Sequence, residues 1–428
     1  MTVLRPVAFF LLTISTLACS TAAPANRFGS ALDIVQKHYL KDVPRAVLEE
    51  QALRAFLKDL DPYSSYMNAQ DWALYKTSLT GQFGGIGVIM RMDPEATLPQ
   101  ITHLMIGSAA GEAGIQRGDY IVTIDGHLLE GLPIDDVIPL LRGVPGSPVQ
   151  LTIRHAGSTS TVPLRVVRRM IKDPSVRGVQ RDAAGEPRYL LSEEKGIGYI
   201  RVLGLADDTV PELTKALTEL KRLGMKGLVF DLRDSHGGKL KAAVAAADLF
   251  LESGRILSVA SRVGGDEVYD AKPGVLTDVP MVMLINEWTA SSSEILAGAL
   301  ADNHRVVTMG QRTFGKGRVQ VMYSLPAGMG GVVLSTGTFQ RPSGKTIDKH
   351  DAKTPNEAGI APDPGMEIVL EAKESEAWAA ETSRLDGPVI LTPEEQIPKV
   401  PDRVLTRALE VLDTAIAKNG FAIGTANH

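Results

Sequence analysis

Two short apolar runs, Gly227 to Asp231 and Met281 to Ile285, constrain the fold more than anything else in the chain. Each is too short for a buried helix and lacks polar alternation, so each reads as a strand covered on both faces. Ile197 to Val202 reads as a strand ahead of them. Between the strands the rhythm is helical. Val210, Leu213, Leu217 and Leu220 line one helix face, with Asp208 or Thr209 available as cap and Pro211 near the first turn. Arg233 to Gly238 makes a turn feeding a helix through Ala243 to Leu251. Such alternation predicts an α/β domain around a buried sheet. Val332 to Phe339 adds a further strand.

The stretch from Met281 to Gln320 carries the chemistry. The strand ends at Asn286, three serines follow at 291, 292 and 293, and an Ala-rich helix runs through Ile295 to Leu300. Val306-Val307-Thr308 reads as another strand, and Lys316 then stands between Gly315 and Gly317. A serine at a strand-to-helix turn exposes its hydroxyl, and the helix start offers backbone N–H groups to developing negative charge. A serine needs a base to become a nucleophile, and a lysine serves only when neutral, which burial favours. The pattern predicts a Ser/Lys hydrolase. No GxSxG elbow occurs, which disfavours the α/β-hydrolase arrangement, and no HExxH or Cys/His cluster suggests a metal.

The 428 residues suffice for two or three domains, and a net charge of −5 gives no electrostatic case for nucleic acid. Arg5 followed by the apolar Val7 to Ala18 has the form of an export signal, too short to span a bilayer comfortably. Two processing routes fit it: cleavage at Ala23-Pro24-Ala25, or acylation of Cys19 as a lipid anchor, with Thr16 departing from the usual lipoprotein pattern. Cys19 is the single cysteine, so no intramolecular disulfide forms. The domain boundaries expected are 1–25 signal peptide, 26–80 helical region, 81–167, 168–370, and 371–428 with one helix through Leu405, Leu409, Leu412 and Ile416. Asp61-Pro62-Tyr63-Ser64 reads as a turn in the helical region, with no chemistry attached.

Residues 81–167 combine short strands, one helix face (Val137, Ile138, Leu140, Leu141) and the run Ala113-Gly114-Ile115 through Gly118-Asp119 to Asp125-Gly126. This resembles a PDZ domain. The resemblance implies that the loop Gly84, Gly85, Ile86, Gly87 presents N–H groups to a peptide's free C-terminus, the peptide adding as a strand.

GLVFDLRDSHGG, TASSSEILAGALAD, TFGKGRVQ and GIAPD, with LDPYSSYM upstream, resemble the C-terminal processing, or tail-specific, serine proteases over most of residues 30–365. The fold implied is an α+β multidomain one: a helical N-terminal region, a PDZ domain, and an α/β protease core with a mixed sheet. By position, Ser291 is the nucleophile, Lys316 the general base, Gln320 the residue orienting it, and the N–H groups of Gly237 and Ser292 the oxyanion donors. Asp302 matches an acidic position implicated in some members. Ser292 stands where the family has alanine, and Ser235-His236 where it has Asn-Pro. The histidine opens a rival triad of His236 with Asp234 or Asp302. The implied activity is cleavage of exported proteins near their C-termini, in the periplasm, without a cofactor. The PDZ domain would bind substrate C-termini or gate the site, and there is room for an activating adaptor or lipoprotein and a homo-oligomer. The alternative from another class is a catalytically silent, peptide-binding scaffold.

Overall fold

The computed structural model describes residues 26–78, 82–105, 107–172, 174–182, 186–386, 396 and 398–418. The export-signal region with Cys19 lies outside the described residues. The chain divides into two units between Leu60 and Asp61. In the first, helices Arg27–His38 and Arg45–Leu60 are joined by an Arg45–Asp33 ion pair, and Asn26 caps the first helix by accepting the Gly29 N–H at 3.0 Å.

The second unit begins with the segment read as a turn. Ser65–Met67 is a strand, antiparallel to Gly331–Gln340, and helix Ala69–Ser78 follows. Thus Asp61 to Met67 belongs structurally with the core.

The PDZ-like region is a sheet in the order Val88–Asp93, Leu98–Leu104, Tyr120–Ile124, Pro148–Arg154, Thr161–Val167. Helices Ala109–Glu112 and Ile134–Leu141 accompany it, and Ile101, Ile121, Val137, Val149 and Ile153 fill its core. Asp125 and Gly126 both take positive φ, as the tight turn between Tyr120–Ile124 and His127–Leu128 requires.

The central sheet is mixed. Ile197–Val202, Gly227–Asp231, Met281–Ile285 and Val307–Gly310 are parallel neighbours, while Val176–Arg177 and Leu190–Ser192 pair antiparallel to the first. Alternation along the two apolar strands sorts their residues onto opposite faces. Leu228, Phe230, Met281, Met283 and Ile285 join a core with helices Thr209–Arg222, Leu240–Asp248 and Ser292–Asp302. Val229, Val282 and Leu284 pack instead with Val404, Ala408 and Leu412 of helix Arg403–Ala417. The unbroken apolar runs therefore reflect a sheet covered on both sides. A second helix, Ala372–Asp386, occupies the C-terminal stretch where periodicity indicated one. Its sequence is largely charged and alanine, with buried Trp378 and half-buried Leu385 as its large apolar residues, so it shows no stripe.

Candidate active site

Gly227–Asp231 and Met281–Ile285 are adjacent and parallel, so the loops leaving their C-terminal ends meet. The first loop carries Gly237 and the second Ser291. Ala290 N–H donates to Ser235 O at 2.9 Å. A Cβ on Gly237 would lie 2.7 Å from Ala290 O and 3.0 Å from Ser291 Cβ, and its φ is +86°. Contact and conformation both demand glycine there.

The three serines have different fates. Ser291 sits at the N-cap of helix Ser292–Asp302 at φ +57°, ψ −124°, a strained conformation for a residue with a side chain. It is partly exposed, whereas Ser292 and Ser293 are buried. Ser293 Oγ is paired with Ser235 Oγ at 2.7 Å. Ser292 Oγ is buried with no hydrogen-bond partner. Only Ser291 offers a hydroxyl to a substrate. Neither the Gly237 N–H nor the Ser292 N–H has an acceptor among the described residues, and a Cβ on Gly237 would stand 2.9 Å from Ser292 N. Two adjacent free donors beside Ser291 form the arrangement that can hold an oxyanion.

Glu294 ties serine to lysine. Its Oε2 accepts the Ser291 N–H at 2.9 Å and the Lys316 N–H at 2.8 Å. Its Oε1 accepts the Thr313 hydroxyl at 2.6 Å and the Gly315 N–H at 2.7 Å. Burial pushes this carboxyl up from its ordinary value, against the pull of its four donors. Replacing it with alanine strands those donors, so Glu294→Ala is expected to destabilise the fold by roughly 3 kcal/mol or more. Glu294→Gln keeps the shape but turns an NH2 toward donors. It is expected to lower kcat about 100-fold by displacing Ser291 and Lys316, as stopped assays beside thermal melts would show.

Burial lowers the Lys316 ammonium from its ordinary value, against Glu294 and Asp61, which raise it. Nζ lies 5.1 Å from the centre of the Tyr63 ring and has no hydrogen bond among the described residues, to Ser291 Oγ or to any other group. Gln320, expected to orient the lysine directly, donates instead to Tyr63 O at 2.7 Å. It therefore fixes the residue whose ring faces Nζ. Asp61 holds the same segment, accepting the N–H groups of Tyr63 and Ser64, each at 2.8 Å, and the Ser335 hydroxyl at 3.1 Å. The Tyr63 phenol is pushed up to about 12 by burial and by the Asp348 and Glu294 charges, so it is neutral near pH 7. Sequence reading missed Tyr63; LDPYSSYM was the available signal.

The rival histidine finds no triad. His236 is exposed and makes no hydrogen bond among the described residues. Asp234 is engaged by Asn286 and Arg201, and Asp302 by Arg341 and Ser343.

In the PDZ-like region, Gly84 and Gly85 pair with Arg169–Lys172, and a Cβ on Gly84 would fall 1.9 Å from Gly143 O. Ile86 is buried, and Gly87 has φ +77°. The N–H groups of Ile86 and Gly87 have no acceptor among the described residues. They stand just before Val88–Asp93, the edge strand of its sheet.

The sequence profile of peptidase family S41 matches residues 196–365, and that of the PDZ domain residues 100–155. The carboxy-terminal-processing protease of Bartonella bacilliformis is 34% identical over 354 residues, covering 81% of this chain and 76% of that protein. The chain belongs to the carboxy-terminal-processing proteases of family S41. A second such protease, from Synechocystis, is 32% identical over 320 residues, covering 74% of this chain and 71% of the other. The structure of a protein described as an S41 protease from Bacteroides fragilis covers 90% of this chain and 96% of its own at a TM-score of 0.51. At 18% identity that likeness concerns the fold alone. The α+β multidomain reading, with a PDZ domain and a mixed-sheet protease core, holds.

Proposed function

We propose that this family member is a Ser–Lys dyad endopeptidase that cuts exported proteins near their C-termini. The observation that carries the reading is the convergence of the Ser291 and Lys316 N–H groups on the single oxygen Oε2 of buried Glu294. Residues 25 positions apart are thereby locked into one site.

Neutral Lys316 takes the proton of Ser291 Oγ as that oxygen bonds to the substrate carbonyl carbon. The carbonyl oxygen gains charge against the N–H groups of Gly237 and Ser292. Lys316 passes the proton to the leaving amine, and the C–N bond breaks. A water then repeats the sequence on the acyl-enzyme: its proton goes to Lys316, its oxygen to carbon, and Ser291 leaves with the proton. The resting lysine faces Tyr63, so a turn of its four-carbon stem toward Ser291 accompanies substrate binding. Catalytic hydrogen bonds often tighten only at that stage.

Upstream, Gly84 to Gly87 would receive the substrate's terminal carboxylate on the free N–H groups of Ile86 and Gly87, with the peptide along edge strand Val88–Asp93. The export-like start of the sequence favours action outside the cytoplasm, either as a cleaved periplasmic enzyme or anchored through Cys19.

The test uses an unstructured polypeptide with an apolar C-terminus, free or amidated, with products identified by mass spectrometry. Cleavage by the wild type and not by Ser291→Ala supports the reading; equal behaviour of the two sinks it. Amidation is expected to raise KM about tenfold or more, because a buried carboxylate's charge-assisted hydrogen bonds are lost.

A further inference from the structure

The loop that presents Gly237 has backbone bonds of its own, from Ser235 N–H to Leu232 O at 3.1 Å, Ala290 N–H to Ser235 O at 2.9 Å and Leu205 N–H to Gly237 O at 3.0 Å, but none of them holds Asp234, where the turn begins. At Asp234 it leans on the serine loop through side chains as well, and Asp234 is the hub of those contacts. Asp234 takes φ +58°, a left-handed conformation for a residue that is not glycine. Its N–H donates to Asn286 Oδ1 at 2.9 Å, and Asn286 Nδ2 returns a bond to Asp234 Oδ1 at 2.8 Å. Arg201, on the neighbouring strand and almost fully buried, donates to Asp234 Oδ2 at 3.2 Å. Asn286 ends the strand leading to Ser291, and its N–H donates to Thr289 Oγ1 at 3.1 Å. Thr289 Oγ1 in turn donates to Leu232 O at 2.8 Å. The two loops that supply the proposed oxyanion donors are thus laced together before Gly237 is reached.

We propose that Asp234 is a positioning residue for catalysis: gripped by Asn286 from the serine loop and by Arg201 from the adjacent strand, it sets the Gly237 N–H against the Ser292 N–H. Nothing about Asp234 touches the reacting atoms. It acts by fixing the start of the Asp234–Gly237 turn, in a conformation whose strain the three hydrogen bonds offset. The proposal rests on the assignment of Gly237 and Ser292 as oxyanion donors. It assigns the acidic residue ahead of Ser235-His236 a role other than the triad acid the sequence had offered.

The experiment compares wild type, Asp234→Ala and Asp234→Asn on a peptide substrate and on a peptidyl boronate, whose tetrahedral adduct needs both donors. Asp234→Ala is expected to lower kcat about 10–100-fold with KM within about twofold, and to weaken the boronate by the same factor, less than outright loss of a donor would cost. Asp234→Asn keeps an acceptor for Asn286 and is expected to restore most of both. Asn286→Ala reads the same bond from the other loop. Combined with Asp234→Ala it should add little, since both remove one interaction. Unchanged kcat and boronate affinity in Asp234→Ala, or a rise in KM alone, overturns the proposal. A wild type that cleaves the peptide yet ignores the boronate would instead overturn the oxyanion assignment beneath it.

Discussion

Ser291→Ala is expected to lower kcat by about four orders of magnitude or more, while Ser292→Ala leaves turnover standing and makes the protein more stable. Both halves follow from the same helix start. At the N-cap, Ser291 stays partly exposed while its N–H donates to Glu294. One residue later the side chain is inside. Ser292 Oγ has neither solvent nor partner, so deleting it removes a desolvated hydroxyl and should add about 1–3 kcal/mol. Alanine keeps the backbone N–H that faces Gly237. Kinetics and thermal melts on the two variants decide the matter. A dead Ser292→Ala, or a Ser291→Ala that still turns over, would move the nucleophile.

That contrast marks where sequence stopped being informative. The strands Gly227–Asp231 and Met281–Ile285 were legible because a sheet covered on both faces leaves no polar alternation. The turn at Asp125-Gly126 was legible because only a few residue types tolerate its dihedrals. Choosing among three adjacent hydroxyls rested on positional resemblance alone, since their chemistry is the same and only the helix start separates outside from inside. Tyr63 was hidden for another reason. It lies 253 positions before Lys316, and antiparallel pairing of Ser65–Met67 with Gly331–Gln340 brings it into the site. Gln320 illustrates the limit of transfer by position: it serves the lysine's surroundings through Tyr63 O, a bond that residue identity does not reveal. Glu294 lies three residues after Ser291, and its four hydrogen bonds show what a carboxylate at that spacing does.

Lys316→Ala should be nearly as damaging as loss of the serine, at about three to four orders of magnitude in kcat, and Lys316→Arg should not rescue it. A guanidinium keeps the charge but never releases its proton in the working range, so arginine separates a base from a mere cation. The pH profile carries the same signature. Burial lowers the Lys316 ammonium below its ordinary 10.5, against Glu294 and Asp61. Catalysis needs the neutral amine, so activity should rise with pH on a limb centred below that value. Stability runs the other way around the same group. The unfolded chain holds the lysine's proton more tightly than the fold does, so charge on Lys316 costs stability at every pH below its folded value. The cost fades as pH rises toward the unfolded value. Lys316→Met, which fills the space without the charge, should therefore melt higher than wild type at neutral pH while being inactive. A melting midpoint that falls instead would mean that the ammonium, seated over the Tyr63 ring, stabilises the fold and is no base held in reserve. An activity limb centred at or above 10.5 would point to the same conclusion.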